Sequence, residues 1–148
     1  MTTTYKVPTI TLRIIRDSFF EVPVKQITCP GDIATILIEK YADLDREMLV
    51  VIHTNTKNKV TAIEPVAIGS LNEIKVAIRE IFKGAIVHNT AAIVLGHNHP
   101  SGIATPSPED VRFTKEVAKA GELLGVQLLD HIVVGHGNFV SMKERGLF

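Results

Sequence analysis

The residues of this chain best suited to chemistry are His97-Asn-His99 and, a short loop later, Ser107-Pro-Glu-Asp110. The two histidines directly follow an apolar run, residues 91–96, that reads as a buried strand. Just past the end of a strand, residues i and i+2 project to the same side, so His97 and His99 can reach one ion while Asn98 points away. Asp110 stands eleven positions after His99 and adds a carboxylate; no cysteine is among the three. Two imidazoles and one carboxylate leave a fourth tetrahedral position open for water, the pattern of a catalytic rather than a structural zinc site. The implied chemistry is metal-assisted hydrolysis.

Each half of this pattern has a plainer reading when taken alone. Ser-x-x-Asp is a common helix start, and a His-x-His pair often carries no metal. Gly102 with Pro100, Pro106 and Pro108 shapes the intervening loop and lets both halves close on one point. The letters His-Asn-His do not make an HNH nuclease, whose residues are spread over a longer ββα unit. The chain also has no His-Glu-x-x-His helix, no Walker loop and no Gly-x-Gly-x-x-Gly turn.

The elements that must position these residues follow from local signals. Ser107 is a candidate N-cap, Pro108 the first helical residue and Asp110 the acid three places after the cap. The helix they open runs to Leu124, and Gly125 ends it in the left-handed position. Residues 9–16 alternate Ile10, Leu12 and Ile14 with Thr11 and Arg13 and are expected to form a half-buried strand. Residues 32–41 read as a short helix beginning near Pro30. Residues 47–53 and 59–68 form a strand pair across the turn at 54–58. Ser70-x-x-Glu73 is a capping box, opening a long helix whose Ile74, Ile78, Ile81, Phe82, Ala85 and Ile86 keep helical spacing to about His88. Strands at 91–95, 126–134 and 138–142 complete the set. The expected fold is α/β, a single domain over residues 31–148. Its mixed sheet packs against two long helices, preceded by an extension, residues 1–30, that contributes one strand.

Composition bounds the function classes. At 148 residues and 45% apolar content the chain can bury one real core. Sixteen basic residues balance sixteen acidic ones, which argues against a nucleic-acid footprint; Lys6, Arg13, Arg16 and Lys25 read as a solvated surface. A single cysteine, Cys29, excludes an intrachain disulfide, suits a reducing cytoplasm and reads as an inert small side chain. No apolar run has the length of a membrane helix, and the polar start is not a signal peptide.

The string His97-Asn-His-Pro-Ser-Gly, followed by Pro-Ser-x-x-Asp110 and later by Leu129-Asp130-His131, resembles the bacterial RadC family. That family lies within the JAMM (MPN+) metallopeptidase superfamily, whose fold has a cytidine-deaminase-like architecture. The similarity covers residues 45–148. The resemblance implies that His97, His99 and Asp110 hold one zinc ion per chain and that Ser107 helps to stabilise an oxyanion. It also implies that Glu47, at the start of an early strand, is the general base. Glu64, Glu73 and Glu80 are its rivals, although Glu73 has a structural task in the capping box. The reaction so implied is hydrolysis of a peptide or isopeptide amide in a protein or peptide substrate.

Asp130 is a candidate to hydrogen-bond and orient a ligand histidine, against the plainer and favoured reading of Asp130-His131 as a buried, hydrogen-bonded structural pair. His53, His88 and His136 carry no spacing signal and are expected at the surface or in loops. Full-length RadC proteins carry an N-terminal helix-hairpin-helix module; residues 1–30 contain no glycine and do not match it. DNA association is therefore not expected. The N-terminal segment is free to add a strand to this sheet or to a partner's edge, so a homo-oligomer stays open. The competing function class is a DNA-repair or recombination accessory protein that uses the fold as a binding module.

Overall fold

The computed structural model describes residues 1–19, 21–69 and 76–148. Its elements are α1 (Pro30–Tyr41), β1 (Met48–Thr54), β2 (Val60–Ile68), α2 (Ile78–Val87), β3 (Ala92–Asn98), α3 (Pro108–Leu124), β4 (Gln127–Val134) and β5 (Phe139–Ser141). The strands form one mixed sheet in the order β2-β1-β3-β4-β5. β3 and β4 are parallel and every other neighbouring pair is antiparallel. Parallel neighbours need a crossover, and α3 supplies it.

β1 is buried along nearly its whole length because both faces of the sheet are covered. On one face Val50, Ile52, Val94, Ile132 and Val134 pack against Ile33, Ile36 and Leu37 of α1. On the other, Leu49, Val51, Ile93, Leu95 and Leu128 meet Ile81, Phe82 and Ala85 of α2 and Val117 of α3. The expected sheet on two helices is thus a three-layer sandwich, with α1 as the third layer. The apolar stripe of α1 is readable in the sequence, but a stripe does not say which face of a sheet it covers. α1 lies very close at Gly96, where a Cβ would stand 2.5 Å from Leu37 Cδ1.

Local chemistry sets most element ends. Asp32 Oδ2 accepts bonds from Thr28 N, Thr28 Oγ1 and Cys29 N at the start of α1. In the β1–β2 turn Asn55 Oδ1 accepts from Lys57 N and Lys59 N, and Asn58 takes the left-handed conformation at φ 55°. Gly125 ends α3 at φ 71°.

Three expectations need correction. Residues 9–16 form no strand. Ile10 and Ile15 are more than 80% exposed, and among the described residues the alternating pattern has no neighbour to pair its backbone groups. The N-terminal segment meets the sheet near its end, where Gln26 bridges Lys59, Lys25 O accepts from Val60 N, and Val22 and Ile27 pack against the core. The long helix expected to start at Ser70 begins instead at Ile78, because Ala77 is extended (φ −76°, ψ 143°); the capping box Ser70–Glu73 lies outside the described residues. His53 is buried, being on a strand covered on both faces. Its Nδ1 lies 2.8 Å from Thr90 Oγ1 and its Nε2 2.8 Å from Glu64 Oε2. His88, half-buried at the end of α2, and the exposed His136 stand nearer to expectation.

Candidate metal centre

β3 ends at Asn98, at the mouth of the crossover. His97 is on the strand and His99 just beyond it, and their rings converge: His97 Nε2 lies 3.0 Å from His99 Nε2. Asp110, in the first turn of α3, faces both. Its Oδ1 is 3.5 Å from His97 Nε2 and its Oδ2 3.5 Å from His99 Nε2. Zinc bonds of roughly 2.0–2.1 Å at tetrahedral angles put neighbouring donor atoms about 3.3 Å apart, so these separations suit one ion. Among the described residues this is the group of three or more histidine, cysteine or acidic side chains whose ligand atoms come within 4.8 Å of one another.

The loop between the histidines and α3 is tied down. His99 N donates to Val134 O and Gly102 N to His99 O. Asn138 reaches across from the β4–β5 connection, donating to Gly102 O and accepting from Ala104 N. Ser107 caps α3: its Oγ accepts from Asp110 N (3.0 Å) while its own N–H donates to Asp110 Oδ2 (2.7 Å). The capping box thereby aims the Asp110 carboxylate at the histidines.

Glu47 immediately precedes β1. Leu49 pairs with His97, so the register continued outward brings Glu47 level with His99. Residues two apart share a face, and Glu47, His97 and His99 all look toward α3. Burial pushes the Glu47 carboxyl up, against the opposing pull of His97 and His99. Two of its rivals are occupied elsewhere: Glu64 holds His53, and Glu80 pairs with Lys83 at 2.7 Å, while Glu73 lies outside the described residues. Burial alone would raise the Asp110 carboxyl, but His97 and His99 hold it well below the usual carboxylate range. The same Asp110 contact raises His99 above the ordinary imidazole value.

Two further residues shape the site in ways that motif spacing did not reveal. Asn98, wholly buried, accepts a bond from Met48 N (2.7 Å) and donates to Arg46 O (3.0 Å), gripping the backbone on both sides of Glu47. His131 Nε2 lies 2.7 Å from His97 Nδ1. Asp130, the other candidate to orient a ligand histidine, does not contact the histidine pair. It accepts from Ser141 Oγ, His131 N and Lys143 N, the buried structural role. The signal available was the pair Asp130-His131 on one strand, where adjacent residues point to opposite faces. That alternation leaves only one of them able to reach the cluster.

The fold and this cluster define an α/β domain with a histidine–histidine–aspartate group at the carboxyl end of a central strand. A family model described as a RadC-like JAB domain matches residues 27–147. A UPF0758 protein of Chloroflexus aggregans is 47% identical over 121 residues, 82% of this chain and 53% of its own length. A UPF0758 protein of Clostridium beijerinckii is 49% identical over 122 residues, and one of Roseiflexus castenholzii 50% over 122. The chain belongs to the RadC-like JAB domain family, and it spans about half the length of the curated relatives it matches.

Proposed function

We propose that the protein is a zinc-dependent peptidase or isopeptidase that hydrolyses an amide bond in a protein or peptide substrate. One observation carries this reading: two imidazole nitrogens and a carboxylate converge at separations that suit one tetrahedral ion, with a part-buried glutamate on the same face. Membership of the RadC-like JAB domain family supports the hydrolase class. His97, His99 and Asp110 are the residues that would hold the ion. When bound, zinc would polarise the scissile carbonyl and lower the pKa of a coordinated water toward about 7.

The remaining work falls to the chain's own groups. Glu47, its carboxyl pushed up by burial, is a stronger base than a solvated glutamate. It can accept a proton from the attacking water and pass it to the leaving amine. Ser107 Oγ accepts from Asp110 N, so its single proton is left to donate to the oxyanion that develops on the substrate. One such donor is worth on the order of a hundredfold in rate.

The test is to incubate zinc-loaded protein with a peptide library and read new termini by mass spectrometry. Wild type is expected to give defined products. Glu47→Gln is expected to keep its zinc and lose at least about a hundredfold in rate. Cleavage by Glu47→Gln at the wild-type rate would overturn the base assignment. Absence of any cleavage by the zinc-loaded wild type would overturn the peptidase reading.

A further inference from the structure

We infer that Thr114 and His131 form a relay that fixes the proton of His97 on Nδ1, so that its Nε2 lone pair faces the cluster. His131, on β4, is 1% exposed and has one partner at each ring nitrogen: His97 Nδ1 at 2.7 Å from its Nε2, and Thr114 Oγ1 at 2.6 Å from its Nδ1. Thr114, on α3, has a single hydroxyl proton. Its Oγ1 also lies 2.6 Å from the carbonyl oxygen of Asp110, one turn earlier. A carbonyl can only accept, so the Thr114 proton goes to Asp110 O, and Thr114 Oγ1 must accept from His131 Nδ1–H.

The remaining assignments are forced. Among the described residues neither nitrogen of His131 touches a carboxylate, so a doubly protonated ring at this depth would stand uncompensated. With its one proton on Nδ1, His131 Nε2 is an acceptor, and the donor is His97 Nδ1–H. Neutral His97 is then left with a lone pair on Nε2, facing His99 and Asp110. In the reverse order, Thr114 Oγ1 and Asp110 O would face each other at 2.6 Å with no proton between them. His97 would then carry its proton on Nε2, where it blocks ligation. His99 is fixed more simply, because its Nδ1 lies 2.8 Å from the carbonyl oxygen of Ile103. Asp110 thus acts twice: its carboxylate joins the cluster and its carbonyl anchors the relay that orients the neighbouring ligand. His131 and Thr114 are positioning residues, and their use for metal rests on the reading of the cluster given above.

Two readouts on the full chain test the relay. The first is zinc affinity by competition with a chromogenic chelator. Thr114→Val, which keeps the shape and loses the hydroxyl, is expected to bind zinc about 10- to 100-fold more weakly, and Thr114→Ser about as tightly as wild type. Should Thr114→Val fail to fold, His131→Leu is expected to show the same loss. His131→Gln, whose amide oxygen can still accept from His97, is expected to restore most of the affinity. The second readout needs no metal: two-bond nitrogen–proton NMR correlations should place the His131 proton on Nδ1. Wild-type affinity in Thr114→Val, or a His131 proton on Nε2, would overturn the relay. A wild type without zinc affinity would fail the cluster reading instead, with the His131 tautomer still deciding the relay.

Discussion

Asn98 stands between the two candidate ligands in sequence but points away from them, as strand alternation requires. It spends both ends of its amide on the backbone beside Glu47. Asn98→Ala should therefore misplace the base without touching the metal ligands. The expected result is unchanged zinc stoichiometry, a stability loss of about 1–3 kcal/mol from the unpaired backbone groups, and a rate loss on the order of a hundredfold. Parallel metal analysis and peptide-cleavage assays check this; full activity in the variant would show that Glu47 needs no such grip. At the same scale, hydrogen bonds donated by His99 to the Asp110 carboxylate and the Ile103 carbonyl raise His99 above its ordinary value of 6.5, although burial works the other way. Metal binding needs the neutral imidazole, so protons compete for His99 as the pH falls through that raised value. Zinc affinity should hold near pH 8 and weaken steadily toward about pH 5.5, readable by chelator competition. A flat profile across that range would contradict the assignment of His99 as a ligand.

At the scale of elements, the site is where three of them meet: the entry to β1, the end of β3 and the first turn of α3. What positions it was legible wherever the signal is local. Ser107, Pro108 and Asp110 announce the start of α3, Gly125 its end, and the apolar run before His97 its strand, because caps and turns are decided by a few adjacent residues. Contacts between distant segments were not legible. Nothing near His131 in sequence points to Thr114 or His97, and nothing near Asn98 points to Arg46 and Met48. His53 is buried on the α2 face through Thr90, Glu64 and His88, all distant in sequence, and the placement of the third layer, α1, is likewise encoded by no local pattern. That layer can be tested at Gly96. Gly96→Ala would drive a methyl into Leu37 and separate α1 from the sheet, at an expected cost of about 1–3 kcal/mol. Thermal unfolding should show a Tm lower by several degrees; an unchanged Tm would mean that α1 packs less closely than described.

At the scale of the whole molecule, the chain divides into the family-matched domain and the segment before it. Tyr5, Ile10, Ile15 and Phe19 are all more than 80% exposed, and the alternation that predicts a strand finds no partner among the described residues. Alternation records what a segment can pair with, and the partner need not be intramolecular. Deleting residues 1–19 is expected to shift Tm by less than about 2 °C and to leave zinc binding intact, since almost no apolar burial is lost. A larger loss would show that the segment packs on the domain. Among the described residues no helix is long and apolar enough to cross a membrane.

The central claim, that His97, His99 and Asp110 form one catalytic zinc site, is tested most directly by elemental analysis of purified wild type beside Asp110→Asn and His97→Ala. The account predicts about one zinc per wild-type chain and little or none in either variant. Equal zinc in the variants, or none in the wild type even after reconstitution, would contradict it.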